Sequence, residues 1–212
     1  TRRAKAGAGG KRSDKPLGME SALMDKNSLD GFSIATAGPP RKRDKIPAMT
    51  RARLAAFAAF ISSGFYLTHP VYRLMKGRTK LGAGCGLVGS ALALAVWLVL
   101  PPMGNPAALG LSLLSTAIAI ILSHLAQEYY GHRDDSRIVI DEFAGYLWAV
   151  AFVPKTAGIL AAAFVLFRIL DVTKPLGIRK IENLPGGWGC VLDDVASGLA
   201  TATLIGTAIK IL

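Results

Sequence analysis

No aspartate or glutamate occurs between Lys45 and Gln127, and that stretch holds three apolar runs, 54–67, 87–100 and 107–126. The nine acidic residues that follow all fall between Glu128 and Asp194, among further apolar segments at 143–153, 156–170 and 195–212. Hydrophobic residues make up 51% of the chain, and its mean hydropathy is +0.39. A soluble core of this size needs less, so the excess points to a membrane. No segment has the two-residue alternation of a membrane β-barrel. The expected fold is all-α, an integral membrane helical bundle. Carboxylates gathered at its edge are costly and need a reason.

The charge is uneven. Of the 25 Lys and Arg, thirteen precede residue 54, against five of the 14 acids, so the net +11 is mostly a basic extension. Residues 1–50 are rich in Gly, Pro, Ser and Lys/Arg and read as a basic, largely disordered N-terminal tail, with a short helix near 17–29. Residues 51–212 form the membrane-embedded domain. Lys11-Arg12 and Arg41-Lys42-Arg43 have no interleaved aromatics, so they suit an anionic membrane surface better than nucleic acid; a solvated extension without a role fits equally. No apolar stretch follows the early charges, which excludes a signal peptide from the expectation. Cys85 and Cys190 stand alone and read as small core residues, not a disulfide or a thiolate metal site.

Run lengths and charges order the bundle. The 54–67 run is broken at Ser62-Ser63-Gly64, ended by His69-Pro70 and basic on both flanks. It is shorter than the ~20 residues of a span and reads as re-entrant or interfacial. Gly82, Gly84, Gly86 and Gly89 suit close helix packing, or a turn close to a ligand. The 87–100 and 107–126 helices are joined by an uncharged turn, expected on the outer face; His124, near the inner end, reads as an interfacial histidine. The 143–153 and 156–170 segments are each short for a span, and 195–212 is the last helix. The tail and the 71–80, 127–142 and 171–194 loops each carry two or more Lys or Arg, while the 154–155 turn has one lysine. The positive-inside rule then gathers every acidic site on the cytoplasmic face.

Three constellations carry chemistry. Asp141-Glu142 opens a helix expected from Phe143. Adjacent side chains diverge by ~100° on a helix, so one can hold a metal while the other braces a neighbour, or the two are a plain capping pair favoured by the dipole. Arg168 and Asp171 share a helix face, with Lys174 following. They form an ordinary salt bridge, or Arg168 and Lys174 grip phosphate while Asp171 binds metal. Pro185-Gly186-Gly187-Trp188-Gly189 precedes Asp193-Asp194. Such a loop can offer N–H groups to an anion beside a cation held by the Asp pair, or serve as a flexible turn with Asp caps. Four acidic positions, two cations and two glycine loops on one face fit Mg²⁺-dependent phosphoryl transfer. No Walker lysine motif is present.

These stretches, IVIDEFAG at 138–145, FRILDVTKP at 167–175 and GGWGCVLDDVASG at 186–198, closely resemble the phosphatidylglycerophosphatase A family over roughly residues 54–212. The resemblance implies an enzyme of phospholipid biosynthesis, a phosphoric monoester hydrolase that converts phosphatidylglycerophosphate to phosphatidylglycerol with Mg²⁺. It places function on Asp134, Asp141, Glu142, Arg168, Asp171, Lys174, Gly186, Gly187, Gly189, Asp193 and Asp194. The family's first motif, a Pro-Gly-Thr-x-Gly-Ser turn, is here Cys85-Gly86-Leu87-Val88-Gly89-Ser90, without its proline and threonine. Asp135 and Gly177 stand where prolines are expected, and the basic tail has no counterpart.

The resulting expectation is a multi-pass protein of the bacterial inner membrane with its active site on the cytoplasmic face. Asp141, Asp171, Asp193 and Asp194 are the expected metal ligands. Glu142 or Asp134 positions or deprotonates the attacking water, with Asp141 beside them. Arg168, Lys174 and the Gly186, Gly187 and Gly189 loop hold the phosphate. The expected partners are the lipid substrate and an anionic membrane surface, with no nucleic acid and no protein partner. The alternative is an ion-binding or transport protein using the same acids, or a non-catalytic membrane scaffold.

Overall fold

The computed structural model describes residues 47–75, 83–133, 135–175 and 177–211. Residues 1–46 of the expected tail, residues 76–80 of the basic 71–80 loop and Asp134 lie outside the described residues, and residues 48–50, expected in the tail, open α1. Among them the chain is all-helical: α1 (Ala48–Ser62), α2 (Thr68–Met75), α3 (Ala83–Val99), α4 (Asn105–Tyr130), α5 (Ile140–Val150), α6 (Ala157–Thr173), a 3-10 helix (Ile178–Asn183) and α7 (Gly187–Ile211).

α5 is the hub. Eight of its 11 residues are buried, and α3, α4, α6 and α7 all pack against it. It is hydrophobic nearly all round because it has a neighbour on nearly every side. Its polar groups are met across those interfaces. Tyr146 Oη donates to the Leu160 carbonyl at 3.0 Å, and Trp148 Nε1 donates to Thr116 Oγ1 at 2.9 Å.

The α5–α7 crossing is close because both helices carry glycine there. A Cβ on Gly145 would meet the Asp194 carbonyl oxygen at 2.7 Å, and one on Gly198 would strike the Gly145 carbonyl. Side chains four apart share a helix face. Asp141 lies one turn before Gly145, and Asp194 one turn before Gly198. The glycine crossing therefore brings these two carboxylates together.

Several boundaries differ from the sequence expectation. α1 ends at Ser62, before a turn in which Gly64, Phe65 and Tyr66 all have positive φ; Pro70 does not end it but sits in the first turn of α2, where a missing N–H costs nothing. α5 starts at Ile140, not Phe143. The last helix starts at Gly187, so Asp193 and Asp194 lie inside it. The glycines of 84–89 are helical and serve packing: a Cβ on Gly89 would strike the Val139 carbonyl. Lys155, the one charge in the 154–155 turn, donates Nζ to the Leu98 and Leu100 carbonyls at 3.1 and 2.5 Å. It closes the end of α3, so its charge is no guide to sidedness.

Among the described residues two helices, α4 and α7, are long and apolar enough to cross a membrane, with mean hydropathies of 1.9 and 1.2 over their most apolar stretches. α5, at 11 residues, spans roughly 16 Å at 1.5 Å per residue, about half a hydrocarbon core.

Candidate active site

The acidic residues separate into two roles. Asp141, Glu142 and Asp194 each bring a carboxylate oxygen within 4.8 Å of the others. Asp141 and Glu142 come from the first turn of α5, and Asp194 from the second turn of α7. Within the cluster the Glu142 N–H donates to Asp141 Oδ1 at 3.1 Å, and Cys190 Sγ donates to Asp141 Oδ2 at 2.6 Å. Glu142 Oε2 is buried without a hydrogen-bond partner. Burial first, then the neighbouring Asp141 carboxylate, pushes the Glu142 carboxyl well above its ordinary range.

Asp171 and Asp193 are taken up by cations. Arg168 Nη1 lies 2.8 Å from Asp171 Oδ2 and 3.8 Å from Glu142 Oε1, and donates to Ser90 Oγ at 3.4 Å. Arg168 is buried, braced by three elements, and closely covered by Gly86, where a Cβ would collide with both the Glu142 carboxylate and the guanidinium. The altered first motif thus abuts the site through Gly86 and Ser90. Lys174 caps α6 in the left-handed conformation, φ 44°. Its Nζ donates to Asp193 Oδ2 at 2.5 Å and to Glu182 Oε1 at 3.4 Å. Burial alone would lower the Lys174 pKa, but the Asp193 hydrogen bond and the surrounding carboxylates outweigh it and raise it. Lys174 therefore keeps its charge.

These groups line a polar cavity of about 110 Å³, walled by Asp141, Glu142, Asp171, Lys174, Glu182, Asp193 and Asp194, with Arg133, Leu184, Gly186 and Cys190 completing it. Arg168 is not on its wall. Of the glycine loop only Gly186 is, and its left-handed backbone, φ 61°, presses against the His124 ring. Gly187 and Gly189 instead allow the start of α7 to pack on the Ile120 carbonyl and on the Glu182 and Leu184 carbonyls.

Four wall residues escaped the sequence reading: Arg133, Glu182, Leu184 and Cys190. Cys190, expected in the core, is half-buried at the site; its place four residues before Asp194 was the available signal. Arg133 borders Asp134 but had no motif around it. Asp135 is buried and bound by Arg137 at 2.7 Å, whose guanidinium stacks on Tyr130 at 3.9 Å.

The site fits a divalent cation. Six carboxylates line the cavity with two cations, Lys174 and Arg133, and with Arg168 behind it; three of the carboxylates converge, with one buried oxygen left without a partner, an arrangement that is unfavourable unless a positive charge enters.

The family model described as phosphatidylglycerophosphatase A matches residues 71–209. A Bacteroides thetaiotaomicron protein named "Putative phosphatidylinositol-3-phosphatase" is 37% identical over 133 residues, 58% of this chain and 82% of that protein. The phosphatidylglycerophosphatase A of Escherichia coli is 32% identical over 122 residues, 57% of this chain and 71% of its own length. That of Haemophilus influenzae is 34% identical over 99 residues, covering 44% and 61%. No solved structure matches the chain. The match spans every element that contributes a carboxylate to the cavity, and the chain belongs to the phosphatidylglycerophosphatase A family of phosphomonoester hydrolases.

Proposed function

We propose that this protein removes the terminal phosphate of phosphatidylglycerophosphate, releasing phosphatidylglycerol for phospholipid synthesis, with Mg²⁺ as cofactor. The observation that carries the reading is the convergence of Asp141, Glu142 and Asp194 within 4.8 Å in a chain of this family. These three would hold the metal, with Asp171 and Asp193 as the outer carboxylates expected to assist. When bound, the ion supplies Lewis-acid stabilisation of phosphoryl oxygens. Lys174, fixed between Asp193 and Glu182 on the cavity wall, aims a permanent charge at the phosphate. Arg168 holds Glu142 and Asp171 in register from behind. Glu142 or Asp134 accepts the proton of the attacking water as the oxygen–phosphorus bond forms. The ester oxygen leaves with the lipid and takes up a proton.

Exposed apolar side chains support a membrane placement. Leu109, Leu113, Leu114, Ile118 and Ile121 are all exposed along α4, a stripe of apolar surface that lipid would cover. We place α4 and α7 across an inner membrane with the cavity at its cytoplasmic face, a sidedness supported by the positive-inside rule.

A second substrate is favoured by the Bacteroides relative's name, namely a phosphatidylinositol monophosphate. Purified protein in detergent distinguishes them. Phosphate release from phosphatidylglycerophosphate with Mg²⁺, abolished by EDTA, is expected. Release only from phosphatidylinositol 3-phosphate would replace the first substrate by the second, and release from neither would overturn the phosphatase reading.

A further inference from the structure

The cations expected to grip phosphate are both engaged. Arg168 is buried between Asp171, Glu142 and Ser90. Lys174 is shared by Asp193 and Glu182. The other cation of the cavity wall, beside Lys174, is Arg133, in the loop between α4 and α5. It is exposed, whereas Asp141, Asp193 and Asp194 are buried, so it stands at the mouth and they stand at the floor. Among the described residues no carboxylate lies within ion-pair distance of it. Its Nη2 donates to the Leu184 carbonyl at 2.9 Å. That bond ties the loop to the segment before α7 and presets the guanidinium. A guanidinium has five N–H donors in a rigid fork, of which Leu184 takes one.

We infer that Arg133 forms a second anion subsite, which binds the phosphodiester of the substrate headgroup while the phosphomonoester reacts at the carboxylates. The inference rests on the phosphatase reading above. A lipid held in the bilayer must thread its terminal phosphate to the cavity floor, so its phosphodiester, nearer the acyl chains, stops at the mouth. Both candidate lipids carry that diester, and phosphatidate lacks it. The arginine fork matches a phosphate's paired oxygens in a way an ammonium does not.

The test uses the full chain in detergent micelles, comparing wild type, R133A and R133K on phosphatidylglycerophosphate, with inorganic phosphate as competitor. R133A is expected to raise KM about tenfold, the loss of one charge-assisted contact, with kcat within about twofold and R133K in between. Inorganic phosphate, which occupies only the floor, inhibits wild type and R133A at equal concentrations. An unchanged KM in R133A overturns the proposal. So does weaker inhibition by phosphate in step with KM, since that puts Arg133 on the reacting group. A wild type that releases no phosphate from either candidate lipid fails the parent reading instead, a result distinct from an active enzyme indifferent to R133A.

Discussion

Asp141 and Asp194 come from different helices, α5 and α7, yet their carboxylates share one cluster with Glu142. Asp141→Asn and Asp194→Asn keep the side chain's shape and remove its charge. Each is expected to lower phosphate release by at least ~10³-fold, the scale of losing a group that binds a catalytic ion. The metal-free variants should melt no lower than wild type, because like-charge repulsion in the cluster falls. Near-normal turnover by either variant would remove it from the metal site. At another position, pH is the probe. His69 has its Nδ1 buried without a partner and packs edge-on to Tyr66 at 4.6 Å. Burial first, then Arg137 and Arg73, lowers its pKa below 6.5. Below 6.5 the unfolded chain takes up a proton that the folded chain resists. The stability that neutral His69 contributes is therefore present above 6.5 and lost as pH falls through that value toward the folded pKa. Melting curves of wild type and His69→Phe should diverge on acidification, with wild type losing ground. Parallel curves would mean that His69 titrates normally in the fold.

At the scale of elements, α5 and α7 decide the site. Their glycine crossing sets how closely Asp141 and Asp194 approach. Gly198→Ala drives a methyl into the Gly145 carbonyl, and forcing the helices apart is expected to cost about 2 kcal/mol and most of the activity. Gly206, further along the same helix, has nothing within 4 Å of an added Cβ. Gly206→Ala should leave activity intact and raise stability by up to ~1 kcal/mol through helix propensity. Equal effects of the two changes, measured by thermal melting and phosphate release, would show that the crossing is not tight. The motifs around both helices were legible as sequence. Their phase was not, because Gly187 and Gly189 read as a loop until the packing against α4 and the 3-10 segment made them helical.

At the scale of the whole molecule, the exposed apolar surface needs a cover. The α4 stripe, with Leu98, Val99 and Val165 also exposed, far exceeds isolated surface leucines. The chain should stay with membranes through alkaline carbonate and high salt and leave them only with detergent. Recovery in the salt wash would limit it to a peripheral contact. The acidic end of the bundle carries the cavity while the apolar length carries the anchoring, and the two are joined by α7, which serves both.

The sequence alone determined the helical class, the apolar runs and the residue types of the site, because hydrophobic periodicity and the three motifs are local signals. It also singled out Asp141, Glu142, Asp171, Asp193, Asp194, Arg168 and Lys174 as one population. Only the tertiary structure decided which carboxylates converge and which are neutralised. In sequence Arg168 and Lys174 read either as phosphate grips or, for Arg168, as the partner of Asp171 one turn away, and helix spacing alone left both readings open. Folded, each lies against a carboxylate, Asp171 at 2.8 Å and Asp193 at 2.5 Å, and Coulomb attraction at that range dominates any local preference. Cys190 and Arg133 reached the cavity through the packing of α7 and a backbone hydrogen bond to Leu184, which are distances between segments and not properties of either one.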